Sequence, residues 1–178
     1  MNPIQALEDL YGVLQDRYFG KYRGIVESNE DPLARGRLQV RVPNVMGSQL
    51  VWANPCVPYA GNGVGFFALP PEQTGVWIEF EGGDTNFPIW VGCFWAENQV
   101  ENSEAKPGIK TLRTDGAVLK FDDDNGVVTI ETGDGTTLTI GGGEIKLEAN
   151  DVSAQANGKK MALNASGFDV NNGAFSVS

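Results

Sequence analysis

Residues 18–45, YFGKYRGIVESNEDPLARGRLQVRVPNV, read as strand, loop, strand. From Lys21 to Glu27 the chain alternates about Tyr22, Gly24 and Val26. From Gly36 to Val42, Leu38, Val40 and Val42 alternate with Arg37, Gln39 and Arg41. A period of two gives each strand one dry and one wet face. Between them Ser28-Asn29-Glu30-Asp31-Pro32 is dense in turn formers, because Asn and Asp side chains bond their own backbone and Pro32 presets φ. Pro43 then ends the second strand by withholding a donor.

Three further strands follow on the same pattern, Leu50 to Val57, Gly75 to Glu81 and Ile89 to Trp95, with Gly- and Pro-rich turns between them. Val76, Ile78 and Phe80 are expected on one side and Trp77, Glu79 and Glu81 on the other. Five short strands with such turns suit a small Greek-key barrel.

From Lys110 the pattern changes to very short alternating strands. The inward candidates are Leu119 and Phe121, Val128 and Ile130, Leu138 and Ile140, Ile145 and Leu147, Val152 and Ala154, Met161 and Leu163, Phe168 and Val170, then Phe175 and Val177. Turn clusters such as Gly133-Asp134-Gly135, Gly141-Gly142-Gly143 and Asn157-Gly158 separate them. A repeat this short points to a β-helix or solenoid, in which one repeat cannot bury its own apolar side. A single chain would have no opposite wall and open edges along its length. Three chains wound together supply both. The expected fold class is therefore all-β: an N-terminal barrel followed by a trimeric intertwined β-helix, with a short N-terminal helix. The domain reading is an arm over 1–17, the barrel over 18–95, a polar linker over 96–110 and the β-helix over 111–178.

The arm is read as helical over residues 3–14, with Asn2 as cap, Pro3 in the first turn, and Ile4, Leu7, Leu10, Tyr11 and Leu14 at three- and four-residue spacing. Such a helix is too short to stand alone and must dock, on its own barrel or on a partner. The net charge is −10 with no histidine. That balance argues against nucleic acid or an anionic membrane as partner. No histidine-dependent nucleophile can be assembled, no carboxylate pair stands in a context that isolates it, and no enzymatic activity is expected. Asp122-Asp123-Asp124-Asn125-Gly126 fails the calcium-loop order at Phe121 and is read as a solvated turn. Cys56 and Cys93 are read as buried free thiols, and MNPIQALEDL lacks the features of a signal peptide.

Two blocks carry a family resemblance. The first is G-x-x-x-G-x-V-x-x-N-x-D-P-x-x-x-G-R-L-x-V-x-V-P, filled by Gly20, Gly24, Val26, Asn29, Asp31, Pro32, Gly36, Arg37, Leu38, Val40, Val42 and Pro43. The second runs through Gly61 to Pro70, Gly75 to Phe80, Gly82-Gly83-Asp84 and Pro88 to Gly92. Together they resemble the oligonucleotide/oligosaccharide-binding (OB) fold module of contractile-tail spikes, the family of phage baseplate assembly protein V, the T-even central spike and the type VI secretion spike. The resemblance covers residues 18–95. It implies a structural central spike in the baseplate of a virion or injection particle, a homotrimer that joins a hub protein to a tip and pierces an envelope mechanically, with only transient membrane contact. It places the arm toward the hub, making Ile4, Leu7, Leu10, Tyr11 and Leu14 the hub-binding candidates. The apolar end at Phe175 and Val177 is expected to take a tip protein of the PAAR-repeat kind, since it is costly in water.

Two of the family's features have no counterpart. The linker cannot hold a lysozyme domain, which needs at least ~50 residues, and the histidine-bound iron of some spike tips has no histidine here, so no cofactor or metal is expected. The rival reading is an OB-type module that binds oligosaccharide or nucleic acid on a β-solenoid stalk. The aromatics Trp52, Tyr59, Phe66, Phe67, Trp77, Trp90 and Trp95 would serve it, but the basic groove it calls for is missing. They are read as core or subunit contacts.

Overall fold

The computed structural model describes residues 2–5, 7, 11–12, 17–171 and 173–177. It divides into two compact units, Met1–Gln99 and Val100–Ser178.

In the first unit the alternating stretches become β1 (Tyr22–Ser28), β2 (Leu38–Arg41) and β3 (Leu50–Pro55), followed by a small hairpin of β4 (Ala60–Gly61) and β5 (Val64–Gly65), then β6 (Gly75–Phe80) and β7 (Pro88–Phe94). The larger five close into a barrel in the order β1-β2-β3-β7-β6. All pairs are antiparallel except β3 with β7, where Asn54 faces Ile89 and Pro55 faces Trp90. This is a five-stranded barrel consistent with an OB fold. Register shifts between Val26 and Ser28 and between Trp77 and Ile78 supply local bends of the kind closure requires. Most of the inward residues are the expected ones, and Ala53 and Trp90 join them. Val26, Leu38, Val40, Val42, Ala53, Val76 and Ile78 are fully buried, with Phe80 and Trp90 nearly so. A one-turn helix, α1 (Pro43–Met46), starts at the proline that ends β2.

The loop between β1 and β2 shows why Asn29, Asp31, Gly36 and Arg37 occur together. Asp31 accepts the backbone N–H groups of Leu33 (3.0 Å), Arg35 (2.8 Å) and Arg37 (3.2 Å). Arg37 also donates to it from Nε (3.1 Å) and Nη2 (2.7 Å), and the Asp31 side chain is only 3% exposed. Asn29 Nδ2 donates to the Pro70 carbonyl, and buried Trp90 Nε1 donates to that of Gly36. The Arg37 side-chain bonds, then the three N–H donors, hold the Asp31 carboxyl far below its ordinary 3.8. A depressed carboxylate stabilises the fold above its unfolded pKa, and that contribution is lost as the pH falls toward the folded value. Asp31→Ala should therefore lower Tm by on the order of 10 °C near neutrality. The gap from the native chain should narrow on acidification from about pH 5 to about pH 2, as thermal scans across that range would show.

Three expectations change. Cys56 and Cys93 are free but exposed, not buried. Cys56 lies just past the end of β3, and Cys93 lies beyond the register shift on β7, where alternation no longer reports the inner face. The Gly61 to Gly65 stretch, read as a turn, forms the β4–β5 hairpin. The stretch read as linker ends two residues early, because Ile109 and Lys110 already belong to a strand.

The second unit holds β8 (Ile109–Arg113), β9 (Ala117–Asp122), β10 (Val127–Thr132), β11 (Thr137–Gly141) and β12 (Glu144–Glu148) in one antiparallel meander. A second meander contains β13 (Val152–Ala156), β14 (Lys159–Asn164), β15 (Gly167–Val170) and β16 (Phe175–Val177). Left-handed pairs at Gly142-Gly143 (φ 61° and 80°) and Asn157-Gly158 (φ 48° and 75°) make two-residue hairpins of the kind that matches strand twist.

Candidate functional site

The alternation in residues 109–148 dictates a two-sided sheet, and the pairing register puts its apolar residues in two straight rows. Leu112, Leu119, Ile130, Leu138 and Leu147 face one another in turn across β8 to β12. Beside them run Phe121, Val128, Ile140 and Ile145, with Lys110 at the β8 end. The opposite face is polar, with Thr111, Lys120, Thr129, Thr139 and Lys146 in successive cross-strand contact. The second meander repeats the design. Val152, Leu163, Phe168 and Val177 form one row, and Ala154, Met161, Val170 and Phe175 the other.

Every core candidate named from the sequence between Leu119 and Val170 thus falls on one apolar face of its sheet. Leu112 extends the first row, and sequence reading missed it because a single apolar residue in β8 does not announce a period. These faces are open: among the described residues of the second unit, none is buried. Ile145 is 70% exposed, and Leu147 and Leu163 are each 56% exposed. The barrel, by contrast, closes over its own apolar residues. Fully burying a side chain of this size yields about 1.5–3 kcal/mol, so rows of this length stand far from their lowest free energy while open to water. Contiguous apolar area on this scale marks an interaction surface.

The turns that hold these strands in register are internally satisfied. Asp122 accepts from Asn125 N–H and Nδ2, so the acidic stretch serves as a turn. Asp134 accepts from Thr132 Oγ1 (2.6 Å) and Thr136 N–H (3.0 Å). Both carboxyls sit below their ordinary range, through the Asn125 side chain at Asp122 and the Thr132 hydroxyl at Asp134. Glu104 is lowered by its ion pair with Arg113.

The remaining candidates are at the ends. Asn2 Oδ1 accepts the Ile4 N–H, a capping contact at the start of helical residues 3–5. Ile4, Leu7 and Tyr11 are helical and about two-thirds exposed, whereas Leu10 and Leu14 lie outside the described residues. Phe175 and Val177 sit on the edge strand β16 and are more than half exposed.

On the barrel, Trp90 is core and Trp52 lies under the Arg37 guanidinium at 5.1 Å. Tyr59, Phe66, Phe67 and Trp95 are exposed. An apolar groove of about 390 Å³ lies between the β1–β2 loop and the β4–β5 hairpin, walled by Pro55, Val57, Tyr59, Phe67 and Leu69. Arg37 at the end of the β1–β2 loop is bound to Asp31 and Arg41 on β2 to Glu27, so two of the three arginines nearest a basic patch are already paired. Among the described residues, no helix is long and apolar enough to cross a membrane.

Residues 22–95 match the family model described as the type VI secretion system/phage-baseplate injector OB domain. No curated protein matches the chain.

Proposed function

We propose, on the premise that residues 22–95 belong to the type VI secretion system/phage-baseplate injector OB family, that this chain is the central spike subunit of a contractile injection baseplate. The family supports a structural role in the injection apparatus. The observation that carries the finer reading is the pair of two-row apolar faces that one chain leaves open. In a homotrimer each chain supplies one wall of a three-sided β-helix, the rows meet at the axis, and the polar faces bearing Thr129 and Lys146 look outward. The product is a stiff rod whose action is mechanical. Its acidity keeps it from adhering to anionic lipid head groups during passage.

The helical arm, through Ile4, Leu7 and Tyr11, docks on the hub protein. The far end, through Phe175 and Val177, takes a separate tip protein of the PAAR-repeat kind. The exposed aromatics of the barrel, Phe66 and Phe67 above all, join the collar formed by neighbouring copies. Deletion in the particle that carries the chain tests this order. Removing residues 100–178 should leave baseplates without a spike and abolish injection, and removing residues 172–178 should strip the tip protein alone. Particles that still inject after the larger deletion would overturn the reading.

A further inference from the structure

The outer wall of the barrel carries a second built feature, independent of the spike reading. Arg23 on β1 faces Trp77 on β6 across the sheet. Its guanidinium carbon lies 4.9 Å from the centre of the Trp77 ring and 4.6 Å from that of Phe94 on β7. The two rings are themselves 4.9 Å apart. Gly75 makes the arrangement possible: a Cβ there would fall 2.5 Å from the Phe94 ring, so only glycine lets that ring lie across β6. Two aromatic faces therefore hold an exposed, planar cation in place.

Beside it opens a cavity of about 400 Å³. Its polar lining is Arg23, Asn44, Gln73 and Gln99, and its apolar walls include Ile25, Pro43 and Phe94. Among the described residues no carboxylate lines it, although the chain has 23 acidic residues against 13 basic ones. Elsewhere in the barrel unit Arg17 pairs with Asp84, Lys21 with Glu79, Arg37 with Asp31 and Arg41 with Glu27. Among the described residues, Arg23 has no ion-pair partner. Gln73 at the rim holds φ at 65°, a left-handed backbone that a non-glycine residue seldom adopts. Strain of this kind concentrates at binding sites.

We infer that this cavity binds a carboxylate side chain presented by an acidic peptide segment of a partner protein. The guanidinium edge left free by the stacked rings offers parallel N–H donors that match a carboxylate bidentately. The amides of Asn44, Gln73 and Gln99 suit a peptide backbone, which needs both donors and acceptors. The apolar walls take the stem of the side chain. A polyanion such as nucleic acid does not fit, because the site offers one cation on a chain of charge −10.

The test uses the full chain and an array of capped hexapeptides carrying one central glutamate or aspartate among apolar residues. Each is matched by its glutamine, asparagine or phosphoserine counterpart, and binding is read by fluorescence polarisation at low salt. Acidic peptides should bind better than their amide counterparts by roughly ten- to a hundred-fold. Arg23→Gln should abolish that preference, and Arg23→Lys, which keeps the charge but loses the fork, should retain only part of it. Arg23 is exposed, so unchanged thermal unfolding of both variants will show that the barrel is intact. Equal binding of acid and amide peptides, an undiminished preference in Arg23→Gln, or selective binding of the phosphoserine peptides would each overturn the inference. None of these outcomes bears on the trimer.

Discussion

In the proposed trimer, Ile130→Asp should leave single 19.1 kDa chains whose residues 100–178 lose their β structure, while Thr129→Asp, one position away, should leave both intact. Ile130 sits in the middle of its row, between Leu119 and Leu138 on the neighbouring strands. In a closed prism its side chain would meet the equivalent rows of two other chains. A carboxylate there has no partner and no water, and its burial costs several kcal/mol in each chain. In a trimer, three copies would multiply the penalty at one level of the axis. Thr129 points the other way, between Lys120 and Thr139. An aspartate there gains a cation beside it and remains in solvent. Sedimentation or light scattering reads the mass and circular dichroism reads the strands. Equal behaviour of the two variants would mean that the apolar face is not the one that assembles.

The second large effect belongs to the barrel. Leu38→Ala should destabilise it by about 2–5 kcal/mol, because Leu38 is fully buried and a closed five-stranded barrel has little freedom to collapse around the void. Trp90, in the same core, reports the transition by fluorescence during denaturant unfolding. Leu33→Ala serves as the comparison. Leu33 is 59% exposed in the β1–β2 loop, and its truncation should fall within about 0.5 kcal/mol of the native chain. A Leu38→Ala effect no larger than that of Leu33→Ala would contradict the placement of the core.

Much of this was legible in the chain, for a physical reason. Where one face of a strand is apolar and the other polar, a period of two is enforced residue by residue. Thus Leu38, Val40 and Val42 reveal the inside of the barrel, and Val128, Ile130, Leu138 and Ile140 reveal a single apolar face. Turns were readable where chemistry forces them, as at Asn157-Gly158. Legibility failed where an outcome depends on residues far apart in sequence. The Asp31 turn was foreseen, but not that Arg37 would complete it, since that pairing needs the loop to fold back on itself. The Arg23 site joins three strands and could not be read from any one of them. Cys56 and Cys93 misled because apolar neighbours imply burial only while the strand keeps its phase, and both lie where it is lost. The arm shows a helical apolar stripe, yet its Ile4, Leu7 and Tyr11 remain exposed on the single chain.

In the proposed spike the second unit is completed between chains. Absolute mass by light scattering after chromatography tests it most directly, measured on the full chain and on residues 1–99. The full chain should give about 57 kDa, three times 19.1 kDa, and the truncated form a weakened or lost trimer. A full-length chain that elutes as a stable, folded 19.1 kDa monomer would contradict it.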